Sequence, residues 1–263
     1  MRTGRLYCRA MPEAQLGEQL VHWEQAEGPP ILYVHGVPNA GSMWKPFLER
    51  TGGVAVDLPG FGRSGKRGDL DASFTALGRF VGDFVEHLGW PTVRLCMHDW
   101  GAVGLLWAMT APERVERLVL LDAVPFLPGY RWHFVARQWR RRGVGEIAMG
   151  SINRTVASRL LPGALVDEVL ESFDTGTQRS ILRLYRSAPE KQLALAGERL
   201  GELACPALVA WGERDPYIDP GFAKAYADAL GGPAEAHVEA GAGHWPWLDA
   251  PDLVRMVTDF LGR

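Results

Sequence analysis

Cysteine, charge of one sign and long apolar runs are all scarce in this sequence, and each scarcity closes off a class of protein. Only 3 cysteines occur among 263 residues. They are Cys8, Cys96 and Cys205, odd in number and unclustered, so neither a disulfide framework nor a cysteine metal site is expected. Cys96 and Cys205 fall within or beside apolar strand-like runs, as buried free thiols do. Such usage suits a reducing compartment. The formal net charge is −3, and the one basic cluster, Arg140-Arg141-Arg142, reads as a solvated helix end. No nucleic-acid partner is expected. No window reaches the roughly 18 consecutive apolar residues of a membrane span. The N-terminus lacks an apolar core of about seven residues behind its charges, so no signal peptide is read there. A cytoplasmic protein is the expectation. Internal repeats and low-complexity segments are also missing. What is present is an ordinary globular composition, 47% hydrophobic and 22% charged, in a length that suits one large domain or one domain with an insertion.

In chain order, residues 4–9 and 16–25 read as short strands joined by a turn around Pro12, forming an antiparallel edge. Ile31-Leu32-Tyr33-Val34 is a continuous apolar run, the mark of a buried parallel strand. A helix near 42–50 follows, then the strand Val54-Ala55-Val56. Residues 73–89 place Phe74, Leu77, Phe80, Val81, Phe84, Val85 and Leu88 at helical spacing, and Gly89 stops that helix. Thr92-Val93-Arg94-Leu95 and Arg117-Leu118-Val119-Leu120-Leu121 are further buried strands, with a helix over 102–108 between them. The rhythm breaks after Val124. Residues 125–203 carry Trp, Arg and Leu at helical spacings with no buried-strand run. It resumes with a strand over 206–211, a helix near 221–230, a strand near 236–239 and a helix near 252–261. Alternating strands and helices predict the α/β class: a mostly parallel, eight-stranded sheet with helices on both faces. The expected division is a core domain of residues 1–124 and 204–263, with a helical cap, 125–203, inserted after the sixth strand.

The stretch on which function turns is Cys96-Met97-His98-Asp99-Trp100-Gly101, a strand, a sharp turn and a helix with an aspartate at the apex. Ligands of open α/β sheets bind beyond the carboxyl ends of the strands. Polar signals fall at four such ends: His35-Gly36-Val37-Pro38, Asp99, Glu213-Arg214-Asp215 and Gly243-His244. Their order is nucleophile, acid, histidine. With HGVP, DLPGFGRSG, HDWG, WGERDPYI and GAGHWPW in sequence, the chain resembles the α/β-hydrolase superfamily over nearly its whole length. Within it, the chain is similar to the aspartate-nucleophile branch, which includes epoxide hydrolases and haloalkane dehalogenases. The resemblance implies Asp99 as nucleophile, His244 as general base and Asp215 as the acid that orients it. Asp122, at the end of its own strand, is the rival for that acid role. The backbone N–H groups of Val37 and Trp100 match the family's oxyanion hole. Relatives usually place a small residue two before the nucleophile, where this chain has Met97.

Both members of the branch share these groups and differ in how they stabilise the leaving group. Epoxide opening needs an acidic O–H or N–H at the ring oxygen. In the resemblance these come from the cap, the second typically in a Tyr-Arg pair, and Tyr185-Arg186 fits, thirty residues before Asp215. His133 in Trp132-His133-Phe134 is the expected partner, with Tyr130 in reserve, and Gly143-Val144-Gly145-Glu146 resembles the cap of soluble epoxide hydrolases. Trp132, Phe134 and Trp139 are expected to line the substrate site. The leading expectation is a hydrolase that needs no cofactor and no metal, turning small apolar epoxides into vicinal diols with water. The alternative is a haloalkane dehalogenase, with Trp100 and a cap tryptophan, Trp132 or Trp139, holding the halide. A catalytically silent binding protein of the same fold is the third reading. A monomer and a homodimer are equally open.

Overall fold

The computed structural model describes residues 12–263, so the strand expected over 4–9 lies outside the described residues. The first elements are β1 (Glu13–Leu16) and β2 (Gln19–Ala26), an antiparallel hairpin. Its turn is at Gly17-Glu18 rather than at Pro12. Gly17 supplies a φ of 56°, which a tight hairpin turn requires. Pro12 instead offers its carbonyl to the Trp23 N–H at 3.1 Å.

Then come β3 (Ile31–Val34), α1 (Lys45–Thr51), β4 (Gly53–Val56), α2 (Phe74–His87), β5 (Val93–His98), α3 (Gly104–Ala108) and β6 (Val115–Leu121). The eight-stranded sheet is completed by β7 (Ala207–Gly212) and β8 (Ala234–Glu239), in the order β1-β2-β4-β3-β5-β6-β7-β8. From β4 onward in that order the pairings are parallel. Strands β3, β4 and β7 are buried along their whole length because helices cover both faces. Alternation along β3 shows the two layers: Leu32 and Val34 pack with Phe80, Val81 and Phe84 of α2, while Ile31 and Tyr33 pack with Trp44 and Phe47 on the other side. Each fully buried side chain of this kind contributes about 1.5–3 kcal/mol relative to exposure. Helix α2 starts where Ser73 accepts the Ala76 N–H, an ordinary side-chain cap.

Between β6 and β7 the chain forms six helices: α4 (Phe134–Trp139), α5 (Val144–Gly150), α6 (Arg154–Leu160), α7 (Gly163–Ser172), α8 (Thr175–Ser187) and α9 (Glu190–Ala196). This is the helical cap after the sixth strand. Helix α8 is its central member. Asp174 caps it by accepting the Thr177 N–H, and Ile181, Leu184 and Tyr185 form its buried stripe. Its outer face is tied down by Arg179 and Arg183, which donate to the Lys66 and Leu70 carbonyls at 2.8 and 2.6 Å. The chain closes with α10 (Gly221–Ala229), α11 (Pro246–Asp249) and α12 (Asp252–Gly262). Among the described residues, no helix is long and apolar enough to cross a membrane.

Candidate active site

Asp99 sits where β5 ends, with φ at 50°, a left-handed conformation that costs a non-glycine residue about 1–3 kcal/mol. The surroundings make that conformation obligatory. A Cβ on Gly101 would stand 2.1 Å from the Val34 carbonyl oxygen, and one on Gly36 would stand 2.4 Å from the Asp99 Cβ. Only glycine lets the two loops close over the aspartate. The large Met97 is accommodated too. Its sulfur occupies the space left by Gly104, where a Cβ would come within 2.7 Å of it. The small residue usual two places before the apex is therefore replaced by a glycine seven places later.

The Asp99 carboxylate is held by the Val37 N–H at 2.8 Å and by the Trp100 N–H. His35 fixes the loop that carries Val37. Its Nε2 accepts the Leu58 N–H at 2.9 Å, leaving Nδ1–H to donate to the Gly36 carbonyl at 2.8 Å. Across from Asp99, His244 Nδ1 bonds Asp215 Oδ2 at 2.7 Å and its Nε2 lies 3.9 Å from Asp99 Oδ1. Asp215 is itself steadied by the Tyr217 and Ile218 N–H groups, at 2.7 and 3.1 Å on Oδ1. Burial pushes the Asp99 carboxyl up to about 6, a rise that the His244 charge and the two N–H donors only partly offset. For His244, burial opposes the charge, but Asp215 and then Asp99 outweigh it and hold the imidazole above its ordinary range.

These groups open into a cavity under the cap with a volume of about 60 Å³. Val37, Asp99 and His244 form its floor; Trp132, Trp139, Ile181 and Tyr185 form much of its apolar wall. Such an arrangement can do nucleophilic chemistry at carbon: a buried carboxylate oxygen facing a largely apolar pocket, a ring nitrogen placed to take a proton from water, and two N–H donors on the carboxyl where an oxyanion would form.

A model of the alpha/beta hydrolase family matches residues 31–256. The chain belongs to that family. Among curated proteins, a haloalkane dehalogenase of Mycolicibacterium paratuberculosis is 29% identical over 252 residues, covering 88% of this chain and 83% of that protein. One from Agrobacterium fabrum is 32% identical over 215 residues, covering 75% and 69%. Among solved structures, a haloalkane dehalogenase from Bradyrhizobium elkani superposes with a TM-score of 0.80 at 20% identity, over 96% of this chain and 97% of that one.

These relatives overturn the expectation of an epoxide hydrolase. The features that supported it have structural uses. Arg186 forms a two-pronged ion pair with Glu146, at 2.8 and 2.9 Å, that locks α8 to α5. Glu146 also accepts the Gly143 N–H, so the Gly143–Glu146 stretch is the start of α5 rather than a substrate motif. The arginine of the Tyr-Arg pair is explained by helix packing, whereas Tyr185 faces the cavity.

The cap residues divide. Tyr130, Trp132, His133, Trp139 and Tyr185 all line the cavity. Phe134 does not. It is 67% exposed, because His133 caps α4 and Phe134, the first residue of that helix, turns outward while Ala136 faces in. Nor can Trp132 offer its N–H to a halide, since that N–H is spent on the Ala188 carbonyl at 3.0 Å. Trp100 is fully buried, stacked on Trp132 and edge-on to Tyr185, and its Nε1 has no acceptor in hydrogen-bonding geometry among the described residues. The Tyr130 hydroxyl is likewise buried and unpartnered. His133 Nδ1 accepts the Ala136 N–H at 3.4 Å, and burial first, then the His244 charge, lowers the ring to about 4. It is neutral at pH 7, with its proton on Nε2.

Sequence reasoning passed over two residues. Tyr217 lies edge-on to His244 at 5.1 Å and donates to the Leu160 carbonyl at 2.6 Å, joining the acid loop to the cap. Its place two residues after Asp215 was the available signal. His98 stands 4.8 Å from His244, and burial holds its ring well below the ordinary range. The neutral His98 donates through Nε2 to the His244 carbonyl at 2.8 Å, fixing the backbone of the residue opposite Asp99.

Proposed function

We propose that this α/β-hydrolase is a hydrolytic dehalogenase of small apolar haloalkanes, working through an alkyl ester on Asp99. The observation that carries the reading is the buried Asp99 carboxylate, aimed into an apolar cavity with His244 and Asp215 behind it, in a chain whose curated relatives include haloalkane dehalogenases. An Asp99 oxygen attacks the carbon bearing the halogen, the carbon–halogen bond breaks and halide leaves. His244 Nε2 then takes a proton from water, and the hydroxide adds to the Asp99 carbonyl carbon. The Val37 and Trp100 N–H groups receive the oxyanion. Its collapse expels the alcohol and restores Asp99, and the proton on His244 leaves with the halide. Asp215 keeps His244 in the tautomer that accepts at Nε2 and stabilises the imidazolium.

A departing halide needs N–H or O–H donors that are otherwise idle. The Tyr130 O–H, which lines the cavity, and the indole N–H of Trp100, next in the chain to Asp99, have no acceptor in hydrogen-bonding geometry among the described residues and are the groups available for it. The cavity has room for only a handful of waters, which favours substrates of a few carbons. The helical segment 125–203 acts as the lid that keeps the ester from bulk water. The test is incubation with C2–C6 bromo- and chloroalkanes, reading halide release and alcohol formation in equal amounts. Absence of halide release across the panel overturns the proposal.

A further inference from the structure

We propose that Asp122 is a positioning residue of this site: a carboxyl group that stays protonated at neutral pH and donates its O–H to Asp215. The role for Asp215 and His244 rests on the function proposed above; the protonation state of Asp122 does not.

Asp122 follows β6, is fully buried and has a left-handed φ of 42°. One of its oxygens, one of Asp215 and one ring nitrogen of His244 lie within 4.8 Å of one another. The two carboxyls are served unequally. Asp215 receives three donors: His244 Nδ1–H on Oδ2, and the Tyr217 and Ile218 N–H groups on Oδ1. Asp122 receives one, the Gly212 N–H on Oδ1 at 2.9 Å, and no donor reaches its Oδ2 among the described residues. Two adjacent buried carboxylates cannot both hold a charge, and a shared proton goes to the less solvated one. That is Asp122. The orphaned Oδ2 then ceases to be an anomaly, because it carries the proton and Asp215 accepts it. Burial, followed by the Asp215 charge, pushes the Asp122 carboxyl well above the usual range, in agreement with this.

The three groups have the composition of a metal-ligand set, but His244 Nδ1 and Asp215 Oδ2 are already committed to each other. A proton satisfies the cluster. Its consequence is that His244 is backed by one negative charge rather than two, with Asp99 the other carboxylate facing the pair. A second full charge would raise the imidazole further and keep it protonated when it must act as a base.

Two measurements decide the matter. Infrared spectra at pH 8 should show the carbonyl band of a protonated carboxyl group in the wild type and lose it in Asp122→Asn. No such band, or one that survives the substitution, overturns the proposal whether or not any haloalkane is turned over. In kinetics, Asp122→Asn keeps a donor to Asp215 and tolerates the left-handed backbone. The acid limb of its kcat/KM profile should stay within about 0.3 pH units of the wild type. If Asp122 were ionised, neutralising it would move that limb acid by about one unit or more, and that outcome refutes the assignment. Asp122→Ala, which removes the donor, should lower kcat by about tenfold and move the limb alkaline. An unchanged limb in a folded Asp122→Ala protein is equally contrary.

Discussion

Replacing Asp99 with asparagine should abolish turnover and yet make the protein more stable at alkaline pH. The buried carboxyl has its midpoint at about 6, against an ordinary value of 3.8. At about 1.4 kcal/mol per tenfold change, holding this group ionised above both values costs the fold about 3 kcal/mol. Asparagine removes the charge at nearly constant shape, and its carbonyl can still accept the Val37 N–H. Its amide must find an acceptor near His244, so the net gain is smaller, about 1–2 kcal/mol. For a chain of this size each kcal/mol moves Tm by about 2 °C, giving a rise of about 2–4 °C. The direction with pH is fixed by linkage. The folded value lies above the unfolded one, so the folded protein retains the proton through the window from 3.8 to about 6 and loses stability as pH rises across it. The advantage of the variant should be largest at pH 8 and shrink towards pH 4. Paired thermal melts followed by circular dichroism across that range measure it. A variant that melts no higher than the wild type at pH 8, or whose advantage persists unchanged at pH 4, refutes the reasoning that burial strains this carboxylate.

Other expectations follow from the same geometry. His244→Ala should accumulate the alkyl ester, seen by intact-protein mass spectrometry as a gain equal to the alkyl group of the substrate; with no adduct from a substrate the wild type turns over, His244 is not the base. The proposed mechanism needs both Asp99 and His244 deprotonated, and both are raised, so kcat/KM should fall on the acid side with an apparent midpoint near 6 or above that belongs to the pair. A stopped-flow pH series showing a flat rate down to pH 5 contradicts this. Gly36→Ala would drive a Cβ to within 2.4 Å of the Asp99 Cβ and should cost at least about 2 kcal/mol as well as activity, read by urea titration. Trp100→Phe keeps the stack on Trp132 but deletes the idle N–H, so chloride binding by fluorescence or calorimetry should weaken by about tenfold.

Much of the molecule was legible from local pattern. Buried parallel strands are continuous apolar runs because both faces are covered, so β3 and β6 declared themselves, as did α2 through its spacing and Ser73 cap. The hairpin turn was misplaced because Pro12 is a familiar turn residue, whereas the positive φ was needed at Gly17. In the cap, the sequence offered residues of the right kind without their directions. Phe134 and Trp132 are equally aromatic, but the cap formed by His133 turns one outward and the Ala188 carbonyl consumes the N–H of the other. Arg186 resembled half of a substrate motif until its partner proved to be Glu146.

The sequence by itself determined the fold class, the apex aspartate and the order of the polar strand ends, because those are consequences of periodicity and of residues that only one backbone conformation accommodates. The tertiary structure decided what each group is free to do. Which N–H is idle, which carboxyl has three donors and which has one, and whether Met97 fits beside Gly104 all depend on neighbours distant in the chain. Asp122 and Asp215 are indistinguishable as residues. They differ in how many N–H groups the folded chain brings to each, and that count determines which one keeps its proton.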